Sequence, residues 1–145
     1  MSDAADPSKS APRGRILLIE DDKNVRKNLA LMLESRGFEV VQAEDAAGGF
    51  LKAMTMHPDL VVLDIILPVR SGFALCKKLK KDERCRDIPI LILSALPEKQ
   101  QRKESNWKGP PAADDFVTKP YKPQDLLERI ERLLVSKPRR SPPSK

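Results

Sequence analysis

Between residues 14 and 136, short apolar runs alternate with amphipathic stretches. ILLI at 16–19 is an uninterrupted apolar run that ends in acids. Val25, Leu29, Met32 and Leu33 follow at i, i+4, i+7 and i+8, the spacing of one helix face, and Gly37 is placed to close that helix in the left-handed region. Residues 38–43 predict a second strand. Residues 45–56 predict a weaker helix with Asp45 as N-cap and Phe50, Leu51 and Met54 inward; Gly48 and Gly49 lower its propensity. LVVL at 60–63 predicts a third strand, 72–80 a short helix with Cys76 on its apolar side, and 88–93 a fourth strand. Residues 97–107 have room for a helix but almost no apolar positions. Phe116 and Val117 predict a short last strand, and 123–135 carry Leu126, Leu127, Ile130, Leu133 and Leu134 on a clear helical face.

That is five repeats of strand then helix. Apolar strands without polar alternation are buried on both faces, which predicts an α/β fold with a parallel sheet covered by helices on both sides. Right-handed crossovers make it doubly wound, and in such sheets ligands lie beyond the carboxyl ends of the strands. The residues just after each strand therefore carry the functional question.

Composition narrows the class. The 145 residues are 40% hydrophobic and 33% charged, a globular balance for one domain. No apolar run approaches the ~18–20 residues of a membrane helix, and the N-terminus lacks a signal-peptide apolar region. Two cysteines, Cys76 and Cys85, make no disulfide framework or zinc spacing, so a reduced, cytoplasmic setting is expected. Cys85, within KDERCRD, is expected at the surface. The net charge is +6, of which residues 137–145 supply +4 and residues 1–13 zero, leaving +2 for 14–136. Both ends are rich in Ser, Pro and basic residues and are expected to be disordered: an arm at 1–13 and a basic tail at 137–145. Lacking aromatic interleaving, the tail predicts a solvated segment and no nucleic-acid partner.

Four strands end in residues with chemistry. The first runs into Glu20, Asp21 and Asp22, the third into Asp64, the fourth into Ser94, and the fifth into Thr118, Lys119 and Pro120. Three carboxylates at one rim repel one another unless a proton or cation compensates, and an all-oxygen cluster suits Mg²⁺, Mn²⁺ or Ca²⁺ rather than zinc. Lys119 and Ser94 supply a point charge and a hydroxyl able to hold phosphoryl oxygens, beside which Asp64 can act as a carboxylate nucleophile. Singly, each has an ordinary structural explanation; Asp22, for example, is expected to be a helix cap. Only the conjunction is specific. His57, before Pro58, is expected in a helix-end role away from the rim.

With these residues in place, the chain resembles the receiver domain of two-component response regulators. The matching stretches are ILLIEDD (16–22), VVLDIILPVRSG (61–72), ILILSA (90–95) and DDFVTKPY (114–121), and the resemblance covers about 15–135. It implies a flavodoxin-like five-stranded sheet in order 2-1-3-4-5 and a receiver domain over 14–136. It assigns Asp64 as phosphoacceptor, Glu20 and Asp21 as the acidic pair that positions Mg²⁺ (Mn²⁺ would also serve), and Ile66 as a metal ligand through its backbone carbonyl. Ser94 and Lys119 would contact the phosphoryl group, with a cis bond between Lys119 and Pro120. Phe116 matches the aromatic switch that turns inward as Ser94 moves. The departure is Pro110-Pro111-Ala112-Ala113 where the family has Gly-Ala before its acidic pair, within a stretch a few residues longer than usual.

The resemblance implies a phosphorylation-operated switch that takes its phosphoryl group from a histidine kinase or histidine phosphotransfer protein and acts on a downstream protein target. The expected form is a monomer or weak dimer with no attached output domain, not an enzyme in its own right. A phosphorelay intermediate, or a receiver-like scaffold that is never phosphorylated, are the alternatives within the class. A haloacid-dehalogenase-type phosphatase needs a second aspartate two positions after the nucleophile, where this chain has Ile66. A flavodoxin-type cofactor binder needs a phosphate loop after the first strand, where Glu20, Asp21 and Asp22 would repel the phosphate.

Overall fold

The computed structural model describes residues 13–65, 69–105 and 113–136. Strands β1 (Arg15–Ile19), β2 (Glu39–Ala43), β3 (Leu60–Ile65), β4 (Ile90–Ser94) and β5 (Asp115–Thr118) alternate with helices α1 (Lys23–Glu34), α2 (Ala46–Met56), α3 (Val69–Lys81), α4 (Glu98–Ser105) and α5 (Pro123–Ser136). All strand pairs are parallel and the order is β2-β1-β3-β4-β5, a flavodoxin-like doubly wound sheet.

Strand side chains alternate between faces, and both faces here are dry. Leu17, Ile19, Val61, Leu63, Ile90 and Ile92 meet Phe73, Leu75, Cys76 and Leu79 of α3 and Ala53 of α2. Ile16, Leu18, Leu60, Val62, Leu91 and Leu93 meet Leu29 and Leu33 of α1 and Leu126, Leu127 and Ile130 of α5. Each fully buried Leu or Ile contributes about 1.5–3 kcal/mol of transfer free energy. The sequence EKQQRKES gives α4 none of this.

Local chemistry sets the element ends. Asp22 caps α1, its side chain accepting from the amides of Asn24 and Val25, and Asp45 caps α2 by accepting from Gly48. Gly37 takes φ 94° after α1, a conformation that favours glycine. His57 closes α2 in the left-handed region at φ 50°.

Several expectations need correction. Leu51 is 56% exposed, because Gly49, Phe50, Ala53 and Met54 form the inward stripe of α2 and Leu51 lies about 100° round from Phe50. Val25 is 39% exposed, in the first turn of α1 at the rim where the strand beneath has ended. Cys85 is wholly buried: the turn from Asp82 to Ile88 directs it into the α2–α3 core while Arg84 pairs with Asp82 outside. β3 runs on through Ile65, so Asp64 lies inside the strand. Arg13, assigned to the arm, is anchored instead. Its amide donates to the Gly37 carbonyl at 2.9 Å, and its guanidinium lies over Phe38 and pairs with Glu131. The rest of the arm, the tail and Ile66 lie outside the described residues.

Candidate functional site

Register brings the rim residues together. Ile19 pairs with Leu63, so Glu20 and Asp64 follow on neighbouring strands. Ile65 pairs with Ser94 and Ser94 with Thr118, which puts Lys119 two strands from Asp64. Neighbouring strands are about 4.8 Å apart, so a long side chain is needed to cross β4. Lys119 does so: its Nζ donates to Asp64 Oδ1 at 2.7 Å. Its backbone N–H donates to the Ser94 carbonyl at 2.7 Å, and the bond to Pro120 is cis.

Asp64 is 5% exposed, Glu20 1% and Ser94 2%, while Asp21 is exposed. Burial, reinforced by the neighbouring Asp21 and Asp64 side chains, pushes the Glu20 carboxyl up to about 8. The opposing influence is the Asp22 amide, which donates to Glu20 Oε2 at 2.7 Å. Two buried oxygens, Glu20 Oε1 and Asp64 Oδ2, have no hydrogen-bond partner among the described residues. Buried acceptors without donors are costly, and a hard divalent cation is the ligand that satisfies carboxylate oxygens. The donor set therefore fits such an ion. Among the described residues, no three His, Cys, Asp or Glu side chains are grouped tightly enough to hold one unaided.

Ser94 Oγ accepts from the Leu96 amide at 3.0 Å. Phe116 is partly buried against the α3 side, its ring 6.5 Å from that of Phe73 and tilted by 53°. Tyr121, half-buried, has its phenol pushed up by burial and by the Asp64 charge. The structure thus brings Glu20, Asp64, Ser94 and Lys119 to one rim.

Two residues of the site were not read from the sequence. Arg26 Nη1 donates to the Glu20 carbonyl at 2.8 Å, fixing the β1–α1 turn from one turn into the helix. A cation near a helix start reads as solvated, and its spacing of six from Glu20 is the only hint. Gln101, 1% exposed, donates from Nε2 to the Leu96 carbonyl at 2.6 Å, and hydropathy gives no sign of it.

A doubly wound parallel sheet in order β2-β1-β3-β4-β5, with a buried aspartate, a hydroxyl and a lysine on its carboxyl rim, defines a flavodoxin-like fold. The chain belongs to the response regulator receiver domain family, which residues 16–131 match. It is 40% identical over 120 residues to the DNA-binding dual master transcriptional regulator RpaA of Synechocystis sp., covering 83% of this chain and 48% of that protein. It is 38% identical over 120 residues to the phosphate regulon transcriptional regulatory protein PhoB of Escherichia coli, covering 83% and 51%. The chain thus spans about half the length of these curated relatives. Among solved structures it is similar to the signal receiver domain of a signal transduction histidine kinase from Syntrophus aciditrophicus (TM-score 0.76, 30% identity, covering 91% of this chain and 98% of that one). It is also similar to the receiver domain of sensor histidine kinase PA1611 from Pseudomonas aeruginosa, which has a magnesium ion coordinated in its active-site cleft (TM-score 0.73, 26% identity, 84% and 98%). Membership places the chain in two-component signalling by phosphorylation.

Proposed function

We propose that this receiver unit, residues 14–136 with Arg13 as its anchor, is a switch thrown by phosphorylation of Asp64. The phosphodonor is the phosphohistidine of a histidine kinase or histidine phosphotransfer protein. A carboxylate oxygen of Asp64 attacks phosphorus, the bond from phosphorus to the imidazole nitrogen breaks, and the leaving nitrogen takes up a proton. One observation carries this reading. Asp64 Oδ1 is held by Lys119 Nζ at 2.7 Å while the buried Oδ2 has no donor among the described residues.

Glu20, Asp21 and Asp64, with the Ile66 carbonyl, would hold Mg²⁺ or Mn²⁺, which supplies charge neutralisation for incoming phosphoryl oxygens when bound. Lys119 fixes one carboxylate oxygen and, with the Ser94 hydroxyl once that has turned off the Leu96 amide, would hold phosphoryl oxygens. The output is a changed surface offered to a downstream protein, with Phe116 as the aromatic that follows Ser94. A reduced, cytoplasmic setting belongs to the proposal and rests on a sequence with two cysteines alone. Among the described residues, no helix is long and apolar enough to cross a membrane.

Incubation with Mg²⁺ and acetyl phosphate tests the reading. Intact mass should rise by one phosphoryl group, and Asp64→Asn, which keeps shape but removes the attacking carboxylate, should abolish the gain. Label retained in that variant would move the acceptor elsewhere.

A further inference from the structure

Helix α4 is anchored in an unusual way. Its sequence EKQQRKES contains no apolar residue, and of its described side chains only Gln101 is buried. The Gln101 amide donates to the Pro97 carbonyl at 2.9 Å, and the side-chain Nε2 donates to the Leu96 carbonyl at 2.6 Å. The Leu96 amide in turn donates to Ser94 Oγ at 3.0 Å, and the Leu96 side chain packs on the α2–α3 core. Ser94 is itself tied to Lys119, the residue that holds Asp64. A run of polar contacts therefore joins the rim to α4 through Ser94, the backbone N–H and carbonyl of Leu96, and Gln101.

We propose that Gln101 is a positioning residue that couples the Ser94 hydroxyl to α4. The inference rests on the phosphoacceptor reading above. Rotation of Ser94 about χ1 toward a phosphoryl group on Asp64 takes Oγ off the Leu96 amide. Leu96 then shifts, and its carbonyl, in the peptide it shares with Pro97, leaves the Gln101 carboxamide. A buried carboxamide must stay hydrogen-bonded, so the helix that carries it moves. An apolar anchor would not respond in this way, because hydrophobic contact is non-directional. Coupling is reciprocal, so loosening α4 favours the displaced position of Ser94.

Hydrogen exchange of the whole, unphosphorylated chain tests the latch without relying on phosphorylation. Gln101→Met keeps length and removes the donor, and should speed exchange of α4 amides about tenfold, the effect of losing roughly one net hydrogen bond. Ser94→Ala should act in the same direction. The double variant should exceed the larger single effect by little, because both break one chain of contacts. Amides of β1 and β3 should stay as in the native chain. Unchanged α4 exchange in Gln101→Met, or fully additive effects, would overturn the proposal. Should Gln101→Met loosen β1 and β3 as well, Ser94→Ala alone decides: faster exchange confined to α4 supports the latch, and unchanged α4 exchange refutes it. In the phosphorylated native chain α4 should exchange faster, with little further change in Gln101→Met. A chain that labels at Asp64 with α4 unaffected refutes the latch and leaves the acceptor assignment standing. A chain that fails to label refutes the acceptor assignment instead.

Discussion

Glu20 is a buried acid whose carboxyl is pushed up to about 8 by burial and by its acidic neighbours. Between its ordinary value of 4.5 and about 8, the folded, metal-free chain keeps a proton that the unfolded chain releases. This contribution to stability is complete below the lower value and is lost as pH rises through the upper one. The metal-free melting temperature should therefore fall between about pH 6 and about pH 8.5, and Glu20→Gln should flatten that fall. Mg²⁺ should restore stability more at the higher pH, where no proton competes for the carboxylate. An equal fall in Glu20→Gln would contradict this account. Glu20, Asp21, Asp64, Ser94 and Lys119 were legible in the sequence because each follows or ends an apolar strand. Gln101, Arg26 and Cys85 were not, because their burial depends on how turns and helix ends direct side chains, which composition does not encode.

At the scale of elements, the alternation of strands and helices followed from hydrophobic period and the strand order from the family resemblance, while boundaries moved where hydrogen bonding continued past the apolar run. β3 extends through Asp64 because the strand keeps pairing with β4 up to Ile65 and Ser94. The exposed Leu51 shows the limit of the period argument in a glycine-rich helix, where a glycine can belong to the buried stripe. Gly49 is that residue: a Cβ there would stand 2.5 Å from Ile19 Cδ1, within the dry packing of α2 on β1. Any side chain gains about 1 kcal/mol of helix propensity at most, whereas overpacking a fitted core costs about 1–3 kcal/mol and grows with size. Gly49→Leu should therefore lower stability, read as a drop in the denaturation midpoint. An unchanged midpoint would mean that α2 can ride outward freely. Because α2 and β1 flank the rim, metal binding should weaken along with stability.

At the scale of the described molecule, a sheet with two dry faces presents its candidate site at the carboxyl rim. Topology gathers residues from the ends of four strands at that rim, so a site scattered over a hundred residues of sequence closes around one carboxylate. The central claim is that this carboxylate carries the phosphoryl group, and its chemistry allows a direct reading. Borohydride reduces an acyl phosphate to an alcohol with loss of phosphate, which turns an aspartyl phosphate into homoserine. After treatment with Mg²⁺ and acetyl phosphate followed by borohydride, peptide sequencing by mass should find homoserine in place of Asp64 and at no other position. Homoserine in place of Glu20's neighbour Asp21 or any other aspartate, or a phosphorylated chain that yields none, would contradict it.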